Sequence, residues 1–200
     1  VNSFVTRGVK NMVKKLAAQN KECDIVVIGD KGRAQLRRDL AKSIVRSATD
    51  VVAPGTFTLA SALTHELMAA GAEDYDAIVL VYNSFKNAAT YFQMYKVIKP
   101  FVVESETVED EPLADYEFDG DKGELMEDMY EYMVASQIFH SFMDSATAEQ
   151  GSRMTAMENA SNNAQDMIGK LTLKYNRARQ ARITTELIEI ISGASALEKG

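Results

Sequence analysis

An α/β domain with a mostly parallel sheet, continued by one very long helix, is the architecture this 200-residue sequence predicts. Three observations carry it. Short β-branched runs alternate with amphipathic stretches through the front half, the order that lays helices over a sheet. From Gly123 to Leu197 there is no proline, and glycine occurs only at 123, 151, 169 and 193. Apolar residues over that same stretch recur mostly at steps of three and four.

The elements follow in order. Phe4, Val5, Val9, Met12, Val13, Leu16 and Ala17 form one apolar stripe, with Lys10, Lys14 and Lys15 off it, so 2–19 is predicted helical. "DIVVIG" at 24–29 is a short run closed by glycine, as a buried strand requires. "DKGRAQLRRDLA" suits a short helix, and "SIVRSATDVV" alternates as a strand. Pro54-Gly55 breaks the chain, and "TFTLASALTHELMAAG" is a helix with Thr56 or Thr58 as its cap and Gly71 as its stop. "YDAIVLVYN" at 75–83 is a second apolar strand, and "AATYFQMYKVIKPFVV" folds back as another. In doubly wound, Rossmann-like domains the first strand usually lies mid-sheet. Here a helix comes first, so the expectation is a front that is truncated or a first strand that comes from elsewhere.

Residues 104–122 are acidic and contain Pro112 and Gly120, which reads as a connecting loop. This divides the chain into an incomplete α/β domain, 1–122, and a long helix, 123–200. A helix of about 75 residues would run on the order of 110 Å at ~1.5 Å per residue, more than a domain of this size spans, so it is expected to leave the domain. Leu125, Met129, Tyr132, Phe139, Met143, Ala146, Met157, Ala160, Ala164, Met167, Leu171, Tyr175 and Ala178 give it a coiled-coil seam. Asn159, Asn162 and Asn163 interrupt a simple two-stranded pattern. The seam needs a partner, and 1–122 holds no second long helix. Toward the end, Lys170, Lys174, Arg177, Arg179 and Arg182 form a basic collar spread around the helix, without an acid between Asp166 and Glu186. Ile183, Leu187, Ile190, Ile191, Ala194 and Leu197 then restore an apolar stripe that would be an aggregation hazard unless covered.

Composition narrows the function. The net charge of −7 is segregated: residues 1–50 hold 11 Lys/Arg against 5 Asp/Glu, and 101–150 hold 1 against 15. Different neighbours at different ends would suit such a map. No apolar run reaches the ~20 residues of a membrane span. Cys23 is the single cysteine, which rules out an internal disulfide and reads as a buried thiol. His65 and His140 have no Cys or carboxylate at ligand spacing, so no metal site is expected. "GDKG" at 29–32 sits where a phosphate loop would, but lacks the third glycine of a dinucleotide fingerprint and the ending of a P-loop. No nucleophile motif is present. The alternatives to a non-catalytic mechanical part are a Rossmann-like nucleotide-binding protein and a homodimeric coiled-coil scaffold.

"SRMTAMENASNNAQDMIGKLTLKYNRARQARITTELIEIISGASAL" at 152–197, and less specifically "VVIGDKGRAQL" at 26–36, closely resemble the γ subunit of the F-type ATP synthase, the central rotor shaft. The resemblance extends over the whole chain, in pattern more than in residues from about 40 to 122, and is closer to mitochondrial than to bacterial members. It implies a subunit with no catalytic site, cofactor or metal, and no nucleic-acid partner. Family members begin with a long helix, a strand and a glycine-rich turn ahead of the segment that starts here, so the resemblance implies that a partner helix is supplied upstream or separately. It also implies that the C-terminal helix threads the hexamer of α and β subunits, its tip turning in an apolar sleeve. The globular domain would sit on the c-ring beside the small δ/ε-type stalk subunits, on the matrix side of the mitochondrial inner membrane and peripheral to it, with a bacterial plasma membrane as the lesser alternative. Carried over by residue, Arg179, Gln180, Thr184 and Glu186 match the polar positions that engage β-subunit loops. Lys170, Lys174, Arg177 and Arg182 belong to the collar facing an acidic lever on β. Ile183, Leu187, Ile190, Ile191 and Leu197 match the tip. Arg182 stands where many relatives have a small or apolar residue, which leaves its role open.

Overall fold

A computed structural model of the chain describes residues 2–87, 90–100, 116–117 and 119–198. The chain divides into two compact units, Val1–Ser152 and Arg153–Gly200. The first holds helix α1 (Asn2–Ala18), strand β1 (Ile25–Ile28), helix α2 (Asp30–Leu40), strand β2 (Ile44–Ala48), helix α3 (Phe57–Met68), strands β3 (Ile78–Asn87) and β4 (Thr90–Ile98), and the start of helix α4 (Lys122–Glu198). The second is built from the rest of α4.

Each predicted element is present, with ends set by local chemistry. Thr56 caps α3 by accepting the Leu59 N–H at 3.3 Å. Gly71 is left-handed (φ 79°) and ends the turn that follows α3. Asp121 caps α4, its carboxylate accepting the Glu124 N–H at 3.0 Å. Strand β2 stops at Ala48, short of the expected "DVV". The reason is Asp50, which takes a positive φ of 58° and donates its N–H to Asp30 Oδ2 at 3.3 Å. The acidic connection over 104–122 lies mostly outside the described residues.

The sheet corrects the expected mostly parallel arrangement. Among the described residues β1 and β2 pair in parallel, and β3 and β4 pair antiparallel as a separate two-stranded sheet. The cause is connection length. Helix α2 provides the crossover that a parallel pair needs. Between β3 and β4 only two residues intervene, and Asn87 faces Thr90, so the chain can only double back.

Two apolar clusters hold this unit. Ile25, Val27 and Leu36 are buried beneath Val9, Val13, Leu40 and Ile44, which seats α1 and α2 on the parallel pair. Ala60, Ile98, Tyr130, Val134 and Ile138 form the second cluster. Here α4 packs on the globular unit with a stripe distinct from the seam expected to meet a companion helix. The buried stripe of the first turns of α4 is Tyr130, Val134, Ile138 and Ser141, while Met129 and Tyr132 are more than half exposed. The partners decide this: Ala60 on α3 and Ile98 at the end of β4 face the Val134 side, and Tyr130 donates its hydroxyl to Lys99 O at 3.1 Å. Phe57 meets Phe139 edge-on at 5.8 Å, covering the cluster from the start of α3.

Two glycines sit at close approaches. Gln93 of β4 reaches across α1 and donates to Phe4 O (2.9 Å) and Val5 O (3.3 Å). A Cβ at Gly8 would lie 1.7 Å from that amide. A Cβ at Gly55 would lie 2.5 Å from the Phe142 ring.

Candidate functional site

In the globular unit the residues that could have carried chemistry have structural settings. The "GDKG" turn uses Gly29 at φ 101°, and Asp30 in the first turn of α2 accepts the Asp50 N–H. His65 lies in the last turn of α3, and His140 packs edge-on against Tyr82 at 6.3 Å. Among the described residues no three His, Cys, Asp or Glu are grouped to hold a metal ion. Cys23 is half-buried rather than fully buried, just before β1. Burial first, and then the Asp24 carboxylate, push its thiol pKa up, which keeps it protonated near neutral pH.

An open groove of about 460 Å³ runs between α1 and α2, lined by Thr6, Lys10, Ala34, Gln35, Arg38 and Asp39. Its polar groups face one another. Lys10 donates to the Asp39 carboxylate, and Thr6 Oγ1 donates to Gln35 Oε1 at 2.9 Å. The hydrogen bond from Lys10 and its charge hold Asp39 below the usual carboxylate range. A depressed folded pKa gives stability that is complete above the unfolded value of about 4 and is lost as pH falls through the lower folded value. The acid limb of a urea-midpoint profile should therefore flatten slightly in Asp39→Asn. Both side chains are substantially exposed, so the effect should be small and should fade in high salt. A profile identical to that of the parent chain at low salt would refute it.

The second unit offers a surface instead of a cavity. Arg179, Gln180, Thr184 and Glu186 are all exposed on α4. At about 100° per residue, Arg179, Ile183, Glu186 and Ile190 share one face, and Gln180, Thr184, Leu187 and Ile191 lie beside it. Thr184 donates its hydroxyl to Gln180 O at 2.9 Å, so its oxygen is left to accept from outside. Glu186 is held by Arg182 at 2.9 Å, a contact that spacing alone did not show. The basic collar resolves into two groups. Lys170, Lys174 and Arg177, at i, i+4 and i+7, line one face, and Arg179 and Arg182 lie across the helix from them. Beyond the collar Ile183, Leu187, Ile190, Ile191 and Leu197 are exposed, Ile190 by 68% and Leu197 by 84%. No described helix is long and apolar enough to cross a membrane.

A globular α/β unit together with a helix that presents ordered polar groups and a bare apolar end defines a class: a subunit that works through the surface of one helix against other chains. The chain belongs to the ATP synthase gamma-chain family. The ATP synthase family model matches residues 1–197. The chain is 40% identical over 200 residues to the ATP synthase gamma chain of Paramagnetospirillum magneticum, a match covering 98% of this chain and 68% of that one. It is 38% identical over 205 residues to the mitochondrial ATP synthase subunit gamma of Ipomoea batatas, covering 99% of this chain and 62% of that one. Among solved structures it is similar to a chain of the central stalk and c-ring of Tetrahymena thermophila mitochondrial ATP synthase. There the TM-score is 0.60 at 30% identity, over 80% of this chain and 69% of that one. A chain of the Euglena gracilis mitochondrial ATP synthase rotor shares the fold, with a TM-score of 0.57 at 19% identity, over 87% of this chain and 68% of that one.

Proposed function

We propose that this chain is a non-catalytic rotor part of a mitochondrial ATP synthase, coupling c-ring rotation to the conformations of the catalytic β subunits. Residues 123–200 act as the shaft, and the domain of 1–122 sits toward the c-ring and the small stalk subunits, on the matrix side of the inner membrane. A companion γ helix, supplied upstream or separately, covers the seam. The α/β hexamer encloses the tip formed by Ile183, Leu187, Ile190, Ile191 and Leu197. Burying such side chains is worth about 1.5–3 kcal/mol each, enough to hold a bearing without a specific lock.

Coupling follows from unequal contact. A shaft transmits energy only if each of its angles favours one β conformation over the others. Arg179, Gln180, Thr184 and Glu186 supply directional hydrogen bonds that form at some angles and break at others. The stripe of Lys170, Lys174 and Arg177 meets an acidic lever on β through charge, which tolerates sliding better than hydrogen bonding does. The observation that carries the reading is the exposed surface of the described part of α4 beyond Ser152, where ordered polar groups adjoin an uncovered apolar stripe.

The test is reconstitution with α and β subunits, together with any separate N-terminal fragment. The expected result is one copy retained per hexamer and ATP hydrolysis that depends on its presence. A chain that elutes alone and self-associated would overturn the proposal and favour a homodimeric scaffold.

A further inference from the structure

By sequence Arg182 belongs to the basic collar, yet in the structure its guanidinium pairs with Glu186 of its own helix. Its Nε donates to Glu186 Oε1 at 2.9 Å, one helical turn ahead. Arginine preceding glutamate at i, i+4 is the weaker orientation for supporting a helix. Both side chains are more than half exposed, where an ion pair adds little to stability. Support of α4 therefore does not account for the contact.

Its geometry accounts for it better. The contact is one-pronged: it occupies Oε1 of Glu186, and Oε2 makes no hydrogen bond among the described residues. A free glutamate samples many rotamers and loses that freedom when it binds. We infer that Arg182 is a positioning residue, which selects the Glu186 rotamer that presents Oε2 to a hydrogen-bond donor on the β subunit. The inference rests on the reading of Glu186 as a β-subunit contact. Arg182 itself need not touch β. It fixes the acceptor in advance, so less side-chain freedom is lost on binding.

The test uses the assembled complex with Arg182→Ala, Arg182→Lys, Glu186→Gln, and the Arg182→Ala, Glu186→Gln pair, each assayed for ATP hydrolysis and for far-UV dichroism of the free chain. Ordering one such side chain beforehand predicts that Arg182→Ala lowers turnover by about two- to tenfold. Glu186→Gln should fall at least as far, the double change should be no worse than Glu186→Gln alone, and helix content should be unchanged. Arg182→Lys should recover much of the loss, because an ammonium can still engage Oε1. Multiplicative losses in the double change would mean that Arg182 meets β on its own, and would overturn the inference. Loss of helix content in Arg182→Ala would overturn it in favour of simple helix support. Normal turnover in Arg182→Ala with impaired Glu186→Gln would overturn it while leaving the rotor reading intact. Normal turnover in Glu186→Gln would remove Glu186 as a contact, and the inference with it.

Discussion

Replacing Arg179 and Gln180 together with alanine is expected to lower both ATP synthesis and ATP hydrolysis of the assembled complex by about tenfold or more. A hydrogen bond to a charged group contributes roughly 1.5–3 kcal/mol, and 1.4 kcal/mol is a factor of ten in rate when the bond is made only on the way over the barrier. Neither side chain makes a hydrogen bond among the described residues, so the substitution removes nothing the chain uses to fold. Its unfolding midpoint should stay within about 0.5 kcal/mol of the parent chain. Steady-state turnover beside urea unfolding separates the two effects. Unchanged synthesis and hydrolysis would eliminate both residues as rotor contacts. Reduced stability would show that they support the helix instead.

The largest effect on folding is expected from Ile138→Ala. Ile138 is 2% exposed and packs with Ala60, Ile98, Tyr130 and Val134, where α3, β4 and the start of α4 meet. Truncation removes three carbons from a site whose walls belong to three elements and cannot collapse together. The cost is expected to be about 2–5 kcal/mol. Leu173→Ala is the control, because Leu173 is 73% exposed on the same helix and should cost the free chain under about 0.5 kcal/mol. Equal losses in urea titrations of the two variants would mean that the first turns of α4 do not belong to the globular core.

Much of this was legible in the residues. The continuity of α4 over Lys122–Glu198 follows from a stretch without proline, and the start of α3 follows from a threonine at its cap. The polar positions 179, 180, 184 and 186 stood out through their motif. The Arg182–Glu186 contact did not. An i, i+4 arginine and glutamate are compatible with many rotamers, and spacing does not say which of them meet.

What the sequence by itself determined is local: which segments are helix or strand, where each begins, and that α4 runs unbroken. Those preferences depend on a residue's neighbours within about one turn, and in this chain the tertiary context does not override them. What only the tertiary structure decided is the choice of faces. On α4 two apolar stripes were available, Leu125–Met129–Tyr132 and Tyr130–Val134–Ile138, and the second is the one buried. The partition of four strands into a parallel pair and an antiparallel hairpin was settled in the same way. Both outcomes depend on groups far along the chain, Ala60 and Ile98 for the helix and the α2 crossover for the strands. Helical or strand periodicity marks an apolar face but says nothing of the partner that covers it.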